Sequence, residues 1–453
     1  MNRWSTTIYK VLLAMCLMCA FLSYLPESVS GQTIERIEIP SSPSPVGSGA
    51  RALGMGSAFI AVADDATAAS WNPGGLIQLE KPEASSVGAF FHRIEDNSFG
   101  TNPEASGRET VTEANLNFLS GTYPFTLFHR NMVVSLNYQR LFDFTREWDF
   151  PLVQSTAGLS LNQDVDYDQS GNFSALGLAY CIQLTPEFSF GFTFNIWQGW
   201  LGMNEWKQTT RQQGSGTFTG NRFVFDSKSQ DRFSFRGFNA NANLGILWNI
   251  TPEFTLGAVV RTPFTADIKH KSTFRSSIRF PAAPGSDSTT SISSTKNEEL
   301  EFPMSYGLGL AYRFSDQLTV SADVTRTEWD DFFFKDSQGN KTSAISGRPK
   351  KDSDVDPTHT VRLGLEYLFI KPTYVVPLRG GVFYDPAPAE GNPDDYYGFS
   401  LGSGFAKGRV IFDIAYQYRF GRDVGGSLLQ NLDFSQDVDE HFIFASLIFY
   451  LQQ

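Results

Sequence analysis

The sequence is poor in cysteine, which excludes a fold held together by disulfides. Three cysteines occur in 453 residues. Two of them, Cys16 and Cys19, lie in an N-terminal segment that we expect to be removed. The mature chain then keeps Cys181 alone, so we expect no intramolecular disulfide and no cysteine-based metal site.

Histidine is also scarce, and no pattern typical of catalysis is present. The 5 histidines are scattered, without the spacing of a metal site or a catalytic triad. We therefore predict that the protein is not an enzyme and uses neither a metal nor another cofactor. An outer-membrane lipase stays open as a distant alternative, because a triad can assemble in space from separated residues.

Two acidic segments lack the residues that a calcium loop needs. The segments 164–168 and 352–356 alternate aspartate with other residues, as calcium loops do. However, Gln169 and Pro357 stand where an EF-hand requires glycine, and no glutamate closes either loop. We expect two solvated acidic loops without a bound metal.

Long apolar runs are missing after the N-terminus, so we expect no transmembrane helix. The N-terminus itself has Arg3 and Lys10, then an apolar run over 11–25 and small residues up to Gly31. This pattern predicts a Sec signal peptide over 1–31. The alternative is an uncleaved N-terminal anchor, but the run is short for a membrane span.

Positive charge is in deficit, with 36 basic against 48 acidic residues. Removal of Arg3, Lys10 and Glu27 with the signal peptide leaves 34 basic and 47 acidic residues, a net charge of −13. An acidic exported chain is a poor candidate for binding nucleic acid.

What the sequence does contain is an alternation of apolar and polar residues that recurs along most of the chain, with 41 phenylalanines and 39 glycines. From Arg409 to Phe420 the even positions are all large and apolar, whereas the odd positions are mostly charged, polar or small. A period of two with one apolar face indicates a β-strand. No other elements are available to cover these apolar faces, so we expect lipid to cover them. The fold class predicted is all-β, a transmembrane antiparallel β-barrel in the bacterial outer membrane.

The alternation recurs about fourteen times, an even number as expected for such a barrel. The predicted strands are 83–91, 111–121, 131–145, 172–184, 187–200, 232–249, 253–269, 301–314, 317–332, 358–370, 375–384, 396–405, 407–420 and 440–451. Short turns alternate with long polar loops, predicted at 148–171, 202–231, 275–299, 335–357 and 421–439. Outer-membrane barrels show this asymmetry, with periplasmic turns and extracellular loops. Three strands fit the alternation less well. Arg140 falls on the apolar face of the third strand, a bulge is expected near Gly237 in the sixth, and the last strand is apolar on both faces after Ile443.

The segment before the first strand has a different character. Residues 32–81 are rich in glycine and alanine and do not alternate. A barrel of fourteen strands is too wide to be filled by its own side chains. We therefore divide the chain into a signal peptide (1–31), an N-terminal plug inside the lumen (32–81) and the barrel (82–453). Asp64 and Asp65 are expected near the N-terminus of a short helix that ends before Asn72-Pro73.

The plug sequence resembles the N-terminal hatch of the FadL/TodX family of outer-membrane transport proteins. The matching residues are Arg51, Gly54, Gly56, the Ala-Asp-Asp-Ala run with Asp64 and Asp65, and Asn72-Pro73-Gly74. The family typically has alanine where this chain has Gly74. Segments 261–264, 327–332 and 384–388 are similar to the family in the same order. The hatch is also similar to that of PorV-like barrels, which serve protein export or surface attachment.

The resemblance implies facilitated diffusion of hydrophobic small molecules, either long-chain fatty acids or aromatic hydrocarbons. The expected partners are this ligand and the lipid of the outer membrane. In the family the ligand leaves sideways near a kinked third strand. Arg140 fits such an irregularity, or an arginine that reaches the membrane interface. The alternative function is a subunit or carrier in protein export, with a protein partner.

A carboxylate ligand would need a cation in the lumen, because an unpaired buried carboxylate is costly. Alternation turns Arg261, Arg362 and Arg379 inward, and these are the candidate ligand-binding residues. The alternative for each is a lumenal ion network with Asp323, Glu366 and Asp413, since polar barrel interiors are common.

Overall fold

The computed structural model describes residues 37, 39, 44–156, 158–199 and 203–451. The predicted signal peptide, with Cys16 and Cys19, lies outside the described residues. Within them, no helix is both long enough and apolar enough to span a membrane.

The described chain is dominated by β-strands. We number them in chain order: β1 (Ser44–Pro45), β2 (Glu83–Phe99), β3 (Gly107–Leu127), β4 (Arg130–Asp143), β5 (Arg146–Thr156), β6 (Leu159–Thr185), β7 (Phe188–Trp197), β8 (Glu205–Phe218), β9 (Asn221–Arg236), β10 (Asn239–Asn249), β11 (Phe254–Arg261), β12 (Phe264–Arg279), β13 (Ser288–Phe302), β14 (Ser305–Arg313), β15 (Leu318–Thr327), β16 (Phe333–Lys335), β17 (Lys341–Ser343), β18 (Thr358–Ile370), β19 (Val375–Tyr384), β20 (Tyr396–Lys407), β21 (Val410–Val424) and β22 (Phe434–Tyr450). Helices are short: α1 (Ala50–Gly54), α2 (Ala68–Trp71) and 3₁₀ turns at Pro73–Gln78, Pro103–Ala105, Pro284–Ser286, Trp329–Asp331, Lys350–Asp352 and Gln430–Leu432.

Fourteen strands close into an antiparallel barrel, which confirms the predicted fold class. The wall consists of β2, β3, β4, β6, β7, β10, β11, β14, β15, β18, β19, β20, β21 and β22, and β22 returns to pair with β2. Each strand is antiparallel to its neighbours, and closure of the barrel leaves no strand of the wall with a fully unpaired edge. The barrel places its short turns, such as 186–187 and 408–409, at one end, which we take as periplasmic.

Alternation sets which face of the wall meets lipid. In β14 the apolar Tyr306, Leu308 and Leu310 are exposed, whereas Gly307 and Gly309 on the opposite face point inward and are buried. Lipid covers exposed apolar side chains at no cost in hydration, and backbone groups are satisfied between strands. The same pattern in the other barrel strands gives a continuous apolar outer belt.

At the outer end of the barrel, opposite the short turns, several predicted loops are in fact strands. An outer sheet of eight strands continues β6 upward in the order β5, β6, β8, β9, β12, β13, β16 and β17. The predicted loops 148–171, 202–231 and 275–299 lie largely in this sheet, and the acidic run at Asp164–Asp168 lies within β6. Prediction of loops there was wrong because these strands are polar on their outer face and lack the apolar belt that marks a membrane strand.

The predicted strands 232–249 and 253–269 are each divided in two, and the predicted strand 301–314 contains the last two residues of β13 as well as β14. Gly237 has φ of +64° and separates β9 from β10, so the expected irregularity is a break rather than a bulge. Thr262-Pro263 likewise separates β11 from β12. Proline lacks the N–H that a ladder needs, and glycine tolerates the left-handed region, so both positions let a strand leave the barrel for the outer sheet.

The wall has a seam between β3 and β4. The two strands pair only from Phe118–Gln139 to Leu127–Arg130, so residues 107–117 of β3 pair with β2 alone. Above this point the free edge of β4 pairs with β1, and Val46 N–H donates to the Leu141 carbonyl at 2.8 Å.

Arg140 lies at this seam, where the structure confirms the expected irregularity and contradicts the alternative of an arginine at the membrane interface. The side chain is buried and does not reach out to the membrane interface. A register shift between Arg140 and Phe142 turns the guanidinium towards Glu113, at 2.9 Å, and Asp143. The irregularity in this strand is therefore a β-bulge that places an arginine between two carboxylates.

Candidate functional site

The N-terminal segment lies inside the barrel, where the wall is lined by glycine. On each of seven strands an inward-facing glycine touches this segment so closely that a Cβ there would come within 2.1–3.0 Å of another atom. These glycines are Gly191, Gly245, Gly257, Gly309, Gly364, Gly381 and Gly402. The close approach lets the backbone of the segment bond directly to the wall.

Side chains of the barrel wall form hydrogen bonds with backbone groups of the N-terminal segment that its short helices leave without a partner. Asp323 accepts from the N–H groups of Phe59 and Ile60 at 2.6 and 2.8 Å. Ser400 Oγ accepts from Gly56 N–H at 2.7 Å and donates to the Gly54 carbonyl at 3.1 Å. Buried polar groups without such partners would be costly, so these bonds hold the segment in one position.

An ion network also joins the segment to the wall. The Arg51 guanidinium donates to both oxygens of Glu366, at 2.7 and 3.0 Å, and pairs with Asp64. Glu366 also accepts from Arg379, which in turn donates to Asp413, each at 2.6 Å. Buried charges need such partners, and the bidentate geometry suits arginine.

The Asn72-Pro73-Gly74 turn is a second anchor. Asn72 Nδ2 donates to the carbonyls of Ile60 and Ile246, at 2.8 and 2.9 Å, and its Oδ1 accepts from Gly74 N–H at 3.0 Å. Helix α2 ends at Trp71, directly before this turn, as predicted. Asp65 Oδ1 accepts from Thr67 N–H at 2.8 Å at the start of the helix.

Above this segment is a cavity of about 320 Å³. Its floor includes Leu53, Ser70 and Trp71 from the N-terminal segment. One side is an aromatic wall in which the rings of Trp197 and Phe264 lie 5.3 Å apart and those of Phe264 and Phe302 lie 4.4 Å apart. The size and the mixture of apolar and polar groups suit a small-molecule site.

The opposite side of the cavity is rich in arginine, mostly paired. Arg93 and Arg419 both bind Glu440, at 2.9 and 2.8 Å. Arg362 pairs with Asp385 at 3.1 Å. Arg93 also lies 3.9 Å from Glu95, and Arg419 lies 3.3 Å from Asp385, so each of these three arginines has at least one carboxylate partner.

Arg261 is the exception among the cavity arginines of the described chain. It ends β11, three residues before Phe264 of the aromatic wall, and its only polar contact within hydrogen-bond reach is the Ser70 carbonyl at 3.5 Å. No carboxylate of the described residues pairs with it. An unpaired guanidinium beside an apolar wall can bind an anionic head group while the wall holds an apolar tail.

The structure thus separates the three arginines predicted from the sequence. Arg261 and Arg362 line the cavity, whereas Arg379 lies in the ion network with Glu366 and Asp413. Alternation correctly predicted that all three side chains point inward, but it could not predict which carboxylates form ion pairs with them. Sequence reasoning missed the aromatic wall, since its rings come from β7, β12 and β13, far apart in the chain.

A separate polar cluster lies outside the membrane-spanning wall. His270 of β12 bridges Asp231 and Glu298, at 2.7 and 3.1 Å, and its ring stacks on Phe233 at 4.1 Å. Burial lowers the pKa of His270, but the hydrogen bonds and charges of the two carboxylates outweigh it and raise the pKa to about 9. The described residues hold no cluster of three or more groups that could bind a metal.

A family model described as outer membrane protein transport protein (OMPP1/FadL/TodX) matches residues 44–440. The chain belongs to this family. Its members are transport channels of the outer membrane, in agreement with the barrel described above. No curated protein sequence matches the chain.

Solved structures of the family share its fold at low sequence identity. A FadL homologue from Pseudomonas aeruginosa is 16% identical, with a TM-score of 0.60 over 91% of this chain and 100% of its own. The toluene transporter TodX of Pseudomonas putida is 15% identical, with a TM-score of 0.55 over 90% and 99%. The toluene transporter TbuX of Ralstonia pickettii is 13% identical, with a TM-score of 0.50 over 89% and 99%. At these identities the likeness shows the fold alone.

Proposed function

We propose that this chain carries an amphipathic carboxylate, of the long-chain fatty acid class, across the outer membrane by facilitated diffusion. The observation that carries the proposal is the unpaired Arg261 next to the aromatic wall. A neutral aromatic hydrocarbon would leave this cation unpaired in the cavity. A carboxylate would neutralise it, with its chain along Trp197, Phe264 and Phe302.

The test compares ligands that differ only in the head group. The purified mature protein is titrated with a fluorescent long-chain acid, with competition by the unlabelled acid, the corresponding alcohol or toluene. We expect the acid to compete at least about tenfold better than the alcohol, since a charge-assisted bond contributes roughly 1.5–3 kcal/mol. Equal competition by acid and alcohol would contradict a carboxylate ligand.

Variants of Arg261 test the same point from the protein side. Arg261→Met should lose the preference for the acid, whereas Arg261→Lys should retain part of it, because lysine keeps the charge without the bidentate fork. Arg326→Met, which removes a partly exposed pair with Glu328 far from Arg261 in the chain, is the matched control and should keep the preference for the acid. The molecules that co-purify with the wild-type protein test the alternative function. A protein partner in the absence of any lipid would favour the export role.

We further propose that the ligand leaves through the seam between β3 and β4. The support is the lack of β3–β4 pairing above Phe118, where polar side chains rather than a ladder join the strands. Cysteines at Glu113 and Asp143, joined by a cleavable bifunctional reagent, should slow uptake into vesicles but leave ligand binding unchanged. Cleavage of the reagent should restore uptake. Uptake that is unaffected by the cross-link would exclude this exit.

A further inference from the structure

The outer sheet carries two patches of opposite charge on its outward face. Alternation along β6 makes this clear: its even positions are Leu176, Leu178 and Tyr180 where the strand meets lipid, and Asp164, Asp166 and Asp168 higher up. The outward face of the sheet is therefore the upward continuation of the lipid-facing wall. We call it the outer face.

The strand register arranges its charges in two halves. The acidic half lies on β5 and β6 and consists of Glu147, Asp149, Asp164, Asp166 and Asp168. The basic half lies on β8, β9 and β12, where the outward positions carry the acidic Glu205, Asp226 and Asp267 and a larger number of basic residues. Its basic residues include Lys207, Arg211, Lys228, Arg232, Lys269, Lys271 and Arg275. One rung of the sheet reads, strand by strand, Asp149, Asp166, Arg211, Lys228 and Arg275.

Like charges directly opposite one another destabilise a sheet by a few tenths of a kcal/mol to about 1 kcal/mol per pair. Within the basic half, only Arg211 and Arg232 form ion pairs, with Asp226 at 2.7 Å and Glu205 at 2.5 Å. The other five basic residues, and all five acidic residues, have no ion pair with any described residue. The repulsion inside each half is therefore only partly offset within the chain, by these two ion pairs and by Asp166, which lies opposite Arg211 where the halves meet.

The height of the outer face limits what can offset it. Asp166 lies ten residues above Leu176, the last apolar residue on this face of β6. At about 3.3 Å per residue and a tilt near 40°, this is roughly 25 Å above the apolar belt. A headgroup layer adds only about 5–8 Å to each side of the hydrocarbon. Phospholipid headgroups therefore do not reach this rung, whereas the surface of a neighbouring protein of the same height can.

We propose that the outer face is a self-complementary interface through which two copies of this chain pair in the outer membrane. Two copies in one membrane share their orientation, so a two-fold axis relating them runs along the membrane normal. The two outer faces then point towards each other, so the left half of one copy lies opposite the right half of the other. The acidic half of each copy then meets the basic half of the other, and both sets of unpaired charges gain partners.

The test uses two charge-reversed forms of the full mature chain. A basic form carries Asp149→Lys and Asp166→Lys, and an acidic form carries Lys228→Glu and Arg275→Glu. Copies labelled at the C-terminus with donor or acceptor dyes are placed in lipid vesicles, and energy transfer is measured against protein density. We expect each form alone to dissociate at least about tenfold more readily than the wild type, because like charges then face each other. An equal mixture of the two forms should pair again.

The control reverses two exposed charges at the periplasmic end, Lys407→Glu and Arg409→Glu, and should pair like the wild type. Folding of every form is checked by its resistance to SDS without heating. Three results would overturn the proposal: a monomeric wild type, pairing that survives both reversals, or a mixture that does not recover. A monomeric wild type that binds lipopolysaccharide through the basic half would make the face a glycolipid site instead.

Discussion

At the scale of the residue, small changes decide how closely the N-terminal segment fits the wall. A lumenal glycine has no side chain to hold the two backbones apart, so close packing is possible but intolerant of added volume. Gly381 and Gly56 show the tightest approach of two glycines, with the site of a Cβ on Gly381 only 2.2 Å from Gly56 N.

We predict that Gly381→Ala weakens the seating of the segment. The atoms nearest the added methyl group are backbone atoms of Met55 and Gly56, so no side chain can rotate away to make room, and the cost should be about 1–3 kcal/mol. The measurement is thermal unfolding together with protease cleavage of the N-terminal segment. Gly121→Ala is the matched control, since nothing lies within 4 Å of its Cβ site. Equal behaviour of the two variants would contradict the close fit.

The cluster around His270 should make the outer sheet sensitive to pH. The pKa of His270 in the folded chain is about 9, above the ordinary value of 6.5. Its stabilisation is therefore fully present below pH 6.5 and is lost as the pH rises through 9. The partly open ring is screened by solvent, so we expect a loss of about 1–2 kcal/mol.

Near-ultraviolet circular dichroism can follow this loss, because Trp206 stacks on Phe233, which stacks on His270. The melting temperature of this signal should fall between pH 6.5 and 9.5 in the wild type. It should vary less with pH in His270→Gln, which cannot titrate. A fall of the same size in the variant would assign the pH dependence to other groups.

At the scale of the element, an ion network and a set of backbone bonds hold the N-terminal segment to strands from opposite sides of the barrel. Glu366 of β18 is central, because it accepts from Arg51 of α1 and from Arg379 of β19. Its side chain is only 4% exposed, so water cannot replace a lost partner.

We predict that Glu366→Gln destabilises the folded barrel by about 3 kcal/mol, since it leaves two buried guanidinium groups with one carboxylate fewer. The looser segment should also raise ion conductance in planar bilayers. Glu328→Gln, which removes an exposed pair with Arg326, should cost less than about 1 kcal/mol and leave conductance unchanged. Conductance that stays low in Glu366→Gln would show that the backbone bonds suffice.

At the scale of the whole molecule, we propose that the N-terminal segment closes the lumen of the barrel. A wall of fourteen strands encloses more space than its own side chains fill. The glycine-lined interior makes this space larger, so the wall alone would enclose an open pore.

We therefore predict that deletion of residues 32–79 converts the barrel into an open channel. Small hydrophilic solutes should then enter vesicles that contain the variant at a rate well above that of the wild type. Strand content by circular dichroism confirms that the barrel still forms. Unchanged permeability in a folded variant would refute the assignment of this segment as a plug.

The sequence by itself determined the features that depend on neighbours along the chain. A period of two is a local property, so strands such as β14 and β21, the inward direction of Arg261, and the end of α2 before Asn72-Pro73 all follow from reading residues in order. The strand count follows as well, because each membrane crossing needs its own apolar face.

Only the tertiary structure decided which distant residues meet. The outer sheet looked like loops because its strands gain their order from pairing with one another, as β6 does with β8, and not from a lipid-facing pattern. Which carboxylate pairs with each arginine also depends on the register between neighbouring strands. It joins Arg379 to Glu366 and Asp413, and it leaves Arg261 with no carboxylate among the described residues. Charge pairing acts through space, so the order of residues in the chain cannot reveal it.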